Sequence, residues 1–154
     1  MEPVRSLRKT HRIEGAQMRM RILIVEDDHH SRKGLQDCLM ADGHGVEAVP
    51  DGWQAFRKIK EGAFDLAIVD LDLPPVLGVI VTGWDVVRIL RAYFPEISII
   101  MLSAQEDKAI HRQVERLKIS TFMVKPIDPA RVKSAVRSFG PAGQRTPAVE
   151  CATG

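Results

Sequence analysis

Residues 67–75, with the sequence AIVDLDLPP, join a short apolar run to two aspartates and then to two prolines. A β-branched apolar run that stops at turn-forming residues is typical of a buried strand. The carboxylates of Asp70 and Asp72 therefore stand where such a strand leaves the interior. A carboxylate in that position is usually a solvated turn residue, so a chemical role for Asp70 depends on which other residues reach the same end of the sheet.

Four further apolar runs share this character, and amphipathic helical patterns separate them. The predicted strands are residues 20–25, 45–49, 64–69, 97–102 and 121–124. The predicted helices are about 31–40, the stretch around 55–59, the stretch from 84 to just before Pro95, 105–118, and a last helix capped by Asp128. Five alternations of strand and helix predict an α/β domain with a parallel sheet covered on both faces. Right-handed crossovers then favour a doubly wound five-stranded sheet of flavodoxin-like order 2-1-3-4-5.

The composition is that of a globular protein, with 45% hydrophobic and 27% charged residues in a chain of 154. The predicted domain covers residues 20–139. We expect a basic, flexible leader at residues 1–19 and a disordered tail at residues 140–154, which are rich in Pro, Gly, Ala and Thr. The leader could bind nucleic acid, but a solvated segment is the expectation, and translation starting at Met18 or Met20 is left open as an alternative.

Membrane proteins and disulfide-framed secreted proteins do not fit this sequence. No apolar stretch approaches the roughly 20 residues that cross a bilayer, and no signal-peptide segment is present, so we expect a cytoplasmic protein. The two cysteines, Cys38 and Cys151, form neither a disulfide framework nor a metal-ligand cluster.

The ends of the predicted strands carry the chemistry. In a parallel sheet all carboxyl ends emerge at one edge, where ligands bind. The residues expected there are Glu26, Asp27, Asp70, Ser103 and Lys125. Three close carboxylates repel, by about 4 kcal/mol for each pair at about 4 Å, so protonation or a bound cation must relieve them. The all-oxygen ligand set favours Mg²⁺ and a phosphate, which the ammonium and the hydroxyl would bind while one aspartate attacks phosphorus.

Five motifs occur in order along the chain: ILIVEDD, DLAIVDLDLP, TGWDVVRILR, IIMLSAQ and FMVKP. With them the sequence resembles the receiver domain of bacterial two-component response regulators, over about residues 20–139. The resemblance implies a role for each matching residue. These roles are Asp70 as phosphoacceptor, Glu26 and Asp27 as ligands of Mg²⁺, Asp72 as the donor of a backbone carbonyl to the metal, Ser103 and Lys125 as phosphoryl-binding residues, Phe122 as the rotating switch aromatic, and Pro126 as the residue after a cis peptide bond.

The same resemblance implies a function. It is a Mg²⁺-dependent phospho-aspartate switch that takes a phosphoryl group from a sensor histidine kinase or a histidine phosphotransfer protein. Its own chemistry would be self-phosphorylation and autodephosphorylation, so it is not expected to be an enzyme. Output would pass to a downstream protein partner or through a phosphorylation-dependent homodimer. Direct DNA binding is not expected, because no helix-turn-helix pattern follows the domain.

Two alternatives remain at this point. The DLDLP stretch also resembles the DxD signature of haloacid-dehalogenase-type phosphatases, although that family carries it on the first strand. The second alternative is a receiver-like interaction module that is never phosphorylated.

One segment departs from the family pattern. Residues 73–82 are about five residues longer than the resemblance implies, and the insert from Pro75 to Val81 is apolar. It could fold back onto the domain, or form a docking lip that selects a partner or screens the phosphoryl group from water. Nearby, Asp28 is predicted to cap the first helix, and Trp53 and Trp84 are predicted to pack on the sheet.

Overall fold

The computed structural model describes residues 18–140, so almost all of the predicted leader and tail lies outside the described residues. Strands and helices alternate as the sequence predicts. They are β1 (Arg21–Val25), α1 (His29–Ala41), β2 (Gly45–Val49), α2 (Gly52–Glu61), β3 (Leu66–Asp70), α3 (Gly83–Tyr93), β4 (Ser98–Ser103), α4 (Lys108–Arg116), β5 (Thr121–Val124) and α5 (Pro129–Arg137). No helix in this range is long and apolar enough to cross a bilayer.

The five strands form one parallel sheet in the order β2-β1-β3-β4-β5, which confirms the predicted topology. The register aligns the carboxyl ends, since Val25 pairs with both Val49 and Val69. Asp70 pairs with Leu102 and is therefore the last residue of β3 rather than the first residue after it. The residues that follow β1, β3, β4 and β5 consequently share one edge, which we call the carboxyl edge.

The core lies on both faces of the sheet because successive strand residues point to opposite sides. Leu23 and Val69 face the cluster that α2, α3 and α4 cover, whereas Ile24 and Ile68 face the cluster that α1 and α5 cover. Every residue of β3 and β4 is buried. Interior parallel strands of this kind are buried on both faces, which is why they are continuous apolar runs in the sequence.

Helix starts follow from capping side chains. The Asp28 carboxylate accepts a hydrogen bond from the backbone N–H of Ser31 at 2.8 Å, which confirms the predicted cap of α1. The fourth helix is shorter than predicted because Asp107 caps it, so residues 105 and 106 stay in the loop after β4.

The two tryptophans differ in their surroundings. Trp84 packs against the core as predicted. The prediction for Trp53 is wrong, since 41% of this residue is exposed. The inward positions of α2 are Gly52, Ala55 and Ile59, and residue 53 lies one step off that buried stripe.

Candidate functional site

The sheet itself places the buried charges of the site. Glu26 follows β1, and its backbone N–H donates to the carbonyl of Val49 at 3.0 Å. Asp70 ends β3, while the N–H of Lys125 donates to the carbonyl of Ser103 at 2.8 Å and so extends the last strand pair. Glu26 and Asp70 are each only 1% exposed. Backbone hydrogen bonds therefore hold the main chain of both acidic residues and of the lysine at fixed positions along the carboxyl edge.

A single ammonium group joins the two buried carboxylates. Lys125 Nζ lies 2.8 Å from Asp70 Oδ2 and 3.2 Å from Glu26 Oε1. The exposed Asp27 completes an acidic group, since one carboxylate oxygen from each of Glu26, Asp27 and Asp70 lies within 4.8 Å of the others. Four of the predicted site residues thus converge from three strands that are distant in sequence.

Burial is the main cause of the shifted pKa values of the two buried carboxylates. Burial raises the pKa of Glu26 to about 7, and the charge of Asp70 adds to this against the hydrogen bond from the Asp28 N–H. Burial also raises the pKa of Asp70, although Lys125 and the N–H of Asp72 oppose the shift. For Lys125, burial lowers the pKa, but its contacts with Asp70 and Glu26 outweigh that effect and raise the pKa overall. One cation is therefore shared by more acid than it can neutralise.

This donor set fits a hard divalent cation. All three side chains offer carboxylate oxygens, which Mg²⁺ prefers. Glu26 Oε1 is buried and accepts no hydrogen bond from any residue between 18 and 140, even though the Lys125 ammonium lies near it. A buried carboxylate oxygen left in this state is costly unless a further cation or donor satisfies it.

Arg32 belongs to the site but was not predicted from the sequence. Its guanidinium Nη1 donates to the backbone carbonyl of Glu26 at 2.9 Å and to that of Asp27 at 3.2 Å. The side chain reaches back from the first turn of α1 and holds the acidic turn. Nothing in the sequence distinguishes this arginine from an ordinary exposed helix residue, because the contact goes to backbone atoms.

Ser103 reaches the same edge with a different partner. It is fully buried, its hydroxyl donates to the carbonyl of Gln105 at 2.8 Å, and its oxygen accepts from the Gln105 N–H at 3.0 Å. The hydroxyl is therefore engaged by the β4–α4 loop and not by Asp70 or Lys125. A phosphoryl group on Asp70 would have to compete for this hydroxyl with the loop backbone.

The remaining predicted residues surround this centre. The backbone N–H of Asp72 donates to Asp70 Oδ1 at 3.0 Å, and the Asp72 side chain is exposed. Phe122 is half-buried on β5, and its ring centroid lies 5.7 Å from that of His111 on α4. The Lys125–Pro126 peptide bond is cis.

Residues 75–81 form a hairpin beside Asp70, which we call the hairpin insert. Val76 and Val79 exchange two backbone hydrogen bonds of 2.9 and 3.0 Å, so Leu77 and Gly78 make a two-residue turn. Both turn residues have positive φ, 53° and 79°. Two positive φ values in a two-residue hairpin loop are the signature of a type I′ turn.

The carboxyl-terminal end of the insert is packed tightly onto the domain. Val81 packs against Gly52, where an added Cβ would lie 2.5 Å from Val81 Cγ1. At Gly83 an added Cβ would lie 2.4 Å from the backbone oxygen of Asp70, so the start of α3 rests directly on the end of β3. Of the two expectations for the insert, folding back onto the domain describes the end that leads into α3, while the two-residue turn projects from the domain.

Comparison with protein-family models matches residues 22–137 to the response regulator receiver domain. The two-component response regulator PhoP of Pseudomonas aeruginosa is 37% identical over 86 residues, which cover 56% of this chain and 36% of that protein. The transcriptional regulatory protein CusR of Escherichia coli is 31% identical over 122 residues, which cover 78% of this chain and 51% of that protein. The chain thus spans about half the length, or less, of these curated relatives.

Solved structures share the fold. The chemotaxis protein CheY4 of Vibrio cholerae aligns with a TM-score of 0.69 and 23% identity, covering 77% of this chain and 97% of that one. A CheY-like receiver domain protein from Methanospirillum hungatei aligns with a TM-score of 0.69 and 22% identity, covering 77% of this chain and 91% of that one.

Proposed function

The chain belongs to the response regulator receiver domain family, and from this premise we propose that it is a Mg²⁺-dependent signalling switch in which Asp70 accepts a phosphoryl group. The observation that carries the proposal is the contact of Lys125 Nζ with both Asp70 and Glu26, with Asp27 close enough to share a cation with them. Nucleophile, metal ligands and phosphate-binding ammonium then stand at one edge of the sheet. The haloacid-dehalogenase alternative loses its support, because here Asp70 ends the third strand and Asp72 follows it, whereas that family carries the motif on the first strand.

Glu26, Asp27 and Asp70, together with the backbone carbonyl of Asp72, would hold the Mg²⁺. When bound, the ion would offset the acidic charge of the site and bind oxygens of the incoming phosphoryl group. The acidic turn is ready for this role, since Arg32 holds its backbone and the Asp28 N–H orients the Glu26 carboxylate.

Phosphoryl transfer would then use the side chains as they stand. A carboxylate oxygen of Asp70 attacks the phosphorus of a phosphohistidine, and the P–N bond breaks with its electron pair left on the imidazole, which takes up a proton from water. The Lys125 ammonium exchanges its contact with Asp70 for a phosphoryl oxygen. Ser103 would leave Gln105 for another phosphoryl oxygen, and Phe122 would move with the β4–α4 loop, which shifts an existing equilibrium between two states. Hydrolysis of the aspartyl phosphate returns the protein to its resting state.

The partners we propose are a sensor histidine kinase or a histidine phosphotransfer protein on the input side. On the output side we propose a downstream protein or a second phosphorylated copy. The donor draws its phosphoryl group from ATP, so the cytoplasm is the compartment that we propose.

Intact-mass analysis tests the proposal. Wild type with acetyl phosphate and Mg²⁺ should gain one phosphoryl group that hydroxylamine removes, and a chelator should prevent the gain. Asp70→Asn should gain none. Asp51→Asn is the matched control, because Asp51 is a buried aspartate that caps α2 and asparagine preserves a cap. An adduct that persists in Asp70→Asn would place the acceptor elsewhere.

A further inference from the structure

The turn of the hairpin insert contains a residue that this type of turn does not favour. A type I′ turn places positive φ at both loop positions, so Asn-Gly is the preferred pair. This chain places Leu77 at the first position with φ of 53°. A leucine gains nothing in the left-handed region, where its Cβ approaches the following carbonyl oxygen.

The same leucine makes no compensating contact in the domain. Leu77 is 97% exposed, and the neighbouring Ile80 and Val79 are 62% and 50% exposed. Trp53, which follows the glycine that packs on Val81, is 41% exposed. These are four of the seven exposed large hydrophobic residues in the described part of the chain, and the contact of Val81 with Gly52 places the insert beside the start of α2, which carries Trp53. Exposed apolar groups concentrated beside a functional centre are typical of a surface that another molecule covers.

The insert is held where an approaching partner must meet it. Gly83, two residues past the insert, lies against Asp70, and three residues reach at most about 11 Å from there to Ile80 even when fully extended. A standard interface buries about 800 Å² on each partner, which corresponds to a disc of about 16 Å radius. A protein that brings a phosphohistidine to Asp70 therefore covers a surface that extends to the insert.

We propose that the hairpin insert docks the protein that delivers the phosphoryl group. The occupant is a phosphohistidine-bearing protein with aliphatic side chains beside its phosphohistidine, and Leu77 and Ile80 are the anchors that those side chains cover. This inference rests on the proposed function, because it assumes that a phosphohistidine reaches Asp70. A second copy of the chain is the weaker candidate, because three aliphatic side chains and a tryptophan supply only part of the area of a stable dimer. A transient donor complex needs only a few such anchors within a polar surround.

The test compares two phosphodonors on the same variants. The protein donor is the purified, autophosphorylated cytoplasmic part of a histidine kinase that transfers to wild type, and the small donor is acetyl phosphate. The variants are Leu77→Asn, which suits the turn and so preserves folding, and Ile80→Ser. Met40→Ser is the matched control, because Met40 is 53% exposed at the end of α1, on the opposite edge of the sheet.

We expect the ratio of the two rates, kinase over acetyl phosphate, to fall about tenfold in Leu77→Asn and Ile80→Ser, as loss of an interface anchor does. In Met40→Ser the ratio should stay within about twofold of wild type. An unchanged ratio in both insert variants would overturn the inference. So would a dimer of wild type in sedimentation that Leu77→Asn dissolves, because the surface would then belong to a second copy. Failure of acetyl phosphate to modify Asp70 in wild type would instead contradict the proposed function itself.

Discussion

The carboxyl edge and the opposite, amino edge of the sheet both bury ionisable groups. At the amino edge, His44 is buried, and its Nδ1 accepts a hydrogen bond from the backbone N–H of Met20 at 3.0 Å. Asp42 at the same edge pairs with Arg137 and Lys133. At the carboxyl edge, the Lys125 ammonium contacts both Glu26 and Asp70, and Asp27 adds a third acid beside them.

The two edges differ in which protonation state their burial favours. Burial lowers the pKa of His44 and keeps the ring neutral, which its contact with the Met20 N–H requires. Burial raises the pKa values of Glu26 and Asp70, so it works against the charged forms that a cation would need. At the amino edge the neutral ring suits its contact with Met20, although His44 Nε2 has no hydrogen-bond partner among residues 18–140, while at the carboxyl edge the charged carboxylates need a cation. Opposite pH dependences follow from this difference.

The largest expected effect concerns how closely the carboxyl edge is packed. Gly83→Ala places a Cβ against the backbone oxygen of Asp70, and neither backbone can yield without moving α3 away from β3. We expect a loss of about 3 kcal/mol in the free energy of unfolding and slower phosphorylation by acetyl phosphate. Gly34→Ala is the control, since an added Cβ there meets no atom within 4 Å, and it should gain about 0.5–1 kcal/mol through helix propensity. Equal stability of the two variants in urea unfolding would show that the contact is not tight in solution.

The second prediction replaces Glu26 with a residue that does not titrate, and so tests the pH dependence of the carboxyl edge. Its pKa is about 7 in the folded protein, against an ordinary value of 4.5, so the folded state binds the proton more tightly. Without divalent ions, the stability from this group is fully present below pH 4.5 and is lost as the pH rises through 7. At pH 8 we expect Glu26→Gln to exceed wild type by on the order of 2 kcal/mol, with the difference vanishing near pH 4.

Urea unfolding across this pH range, with and without Mg²⁺, measures the effect. Glu61→Gln, at the exposed end of α2, is the control and should follow the wild-type profile. Parallel profiles for Glu26→Gln and wild type would contradict the prediction.

The amino edge should show the opposite sign. Because the pKa of His44 is lowered by burial, against the pull of Asp42, the unfolded chain takes up the proton first. The stability from this group is present above pH 6.5 and is lost as the pH falls below it, by at most about 1.4 kcal/mol for each pH unit. His44→Asn offers another acceptor to the Met20 N–H and should flatten the acid side of the unfolding profile.

The smallest effect is a gain. Leu77→Asn replaces a residue that the left-handed region disfavours, so thermal unfolding should show an increase of about 0.5–1 kcal/mol. A loss of stability would mean that Leu77 packs on the domain in solution, and the case for the hairpin insert as a docking element would weaken. Met40→Asn, a helix position exposed to a similar extent, should lose a few tenths of a kcal/mol through helix propensity.

Sequence reasoning succeeded where periodic burial controls the structure. The β-branched runs predicted the strands and their order, and the carboxyl ends of parallel strands necessarily share an edge, so Glu26, Asp70 and Lys125 could be expected to meet. Their assigned roles remain predictions.

It fell short where contacts involve backbone atoms or local turns. Arg32 grips two carbonyl oxygens, and Ser103 is held by a two-residue loop contact with Gln105, neither of which leaves a pattern in the sequence. Trp53 is exposed because it lies one residue away from the buried face of its helix. The turn at Leu77 was hidden because leucine is not a residue that type I′ turns favour.

The sheet order has a kinetic consequence for the site. The acids lie at the carboxyl ends of the interior strands β1 and β3, whereas Lys125 follows β5, a four-residue strand at the end of the sheet formed by residues 18–140. Amide hydrogen exchange should therefore be faster in β5 than in β1 or β3, since peripheral strands open without disrupting the centre. Each opening of β5 moves the Lys125 ammonium away from the carboxylates, which stay in place. A contact that holds β5 in the sheet therefore prolongs the contact between the ammonium and the carboxylates.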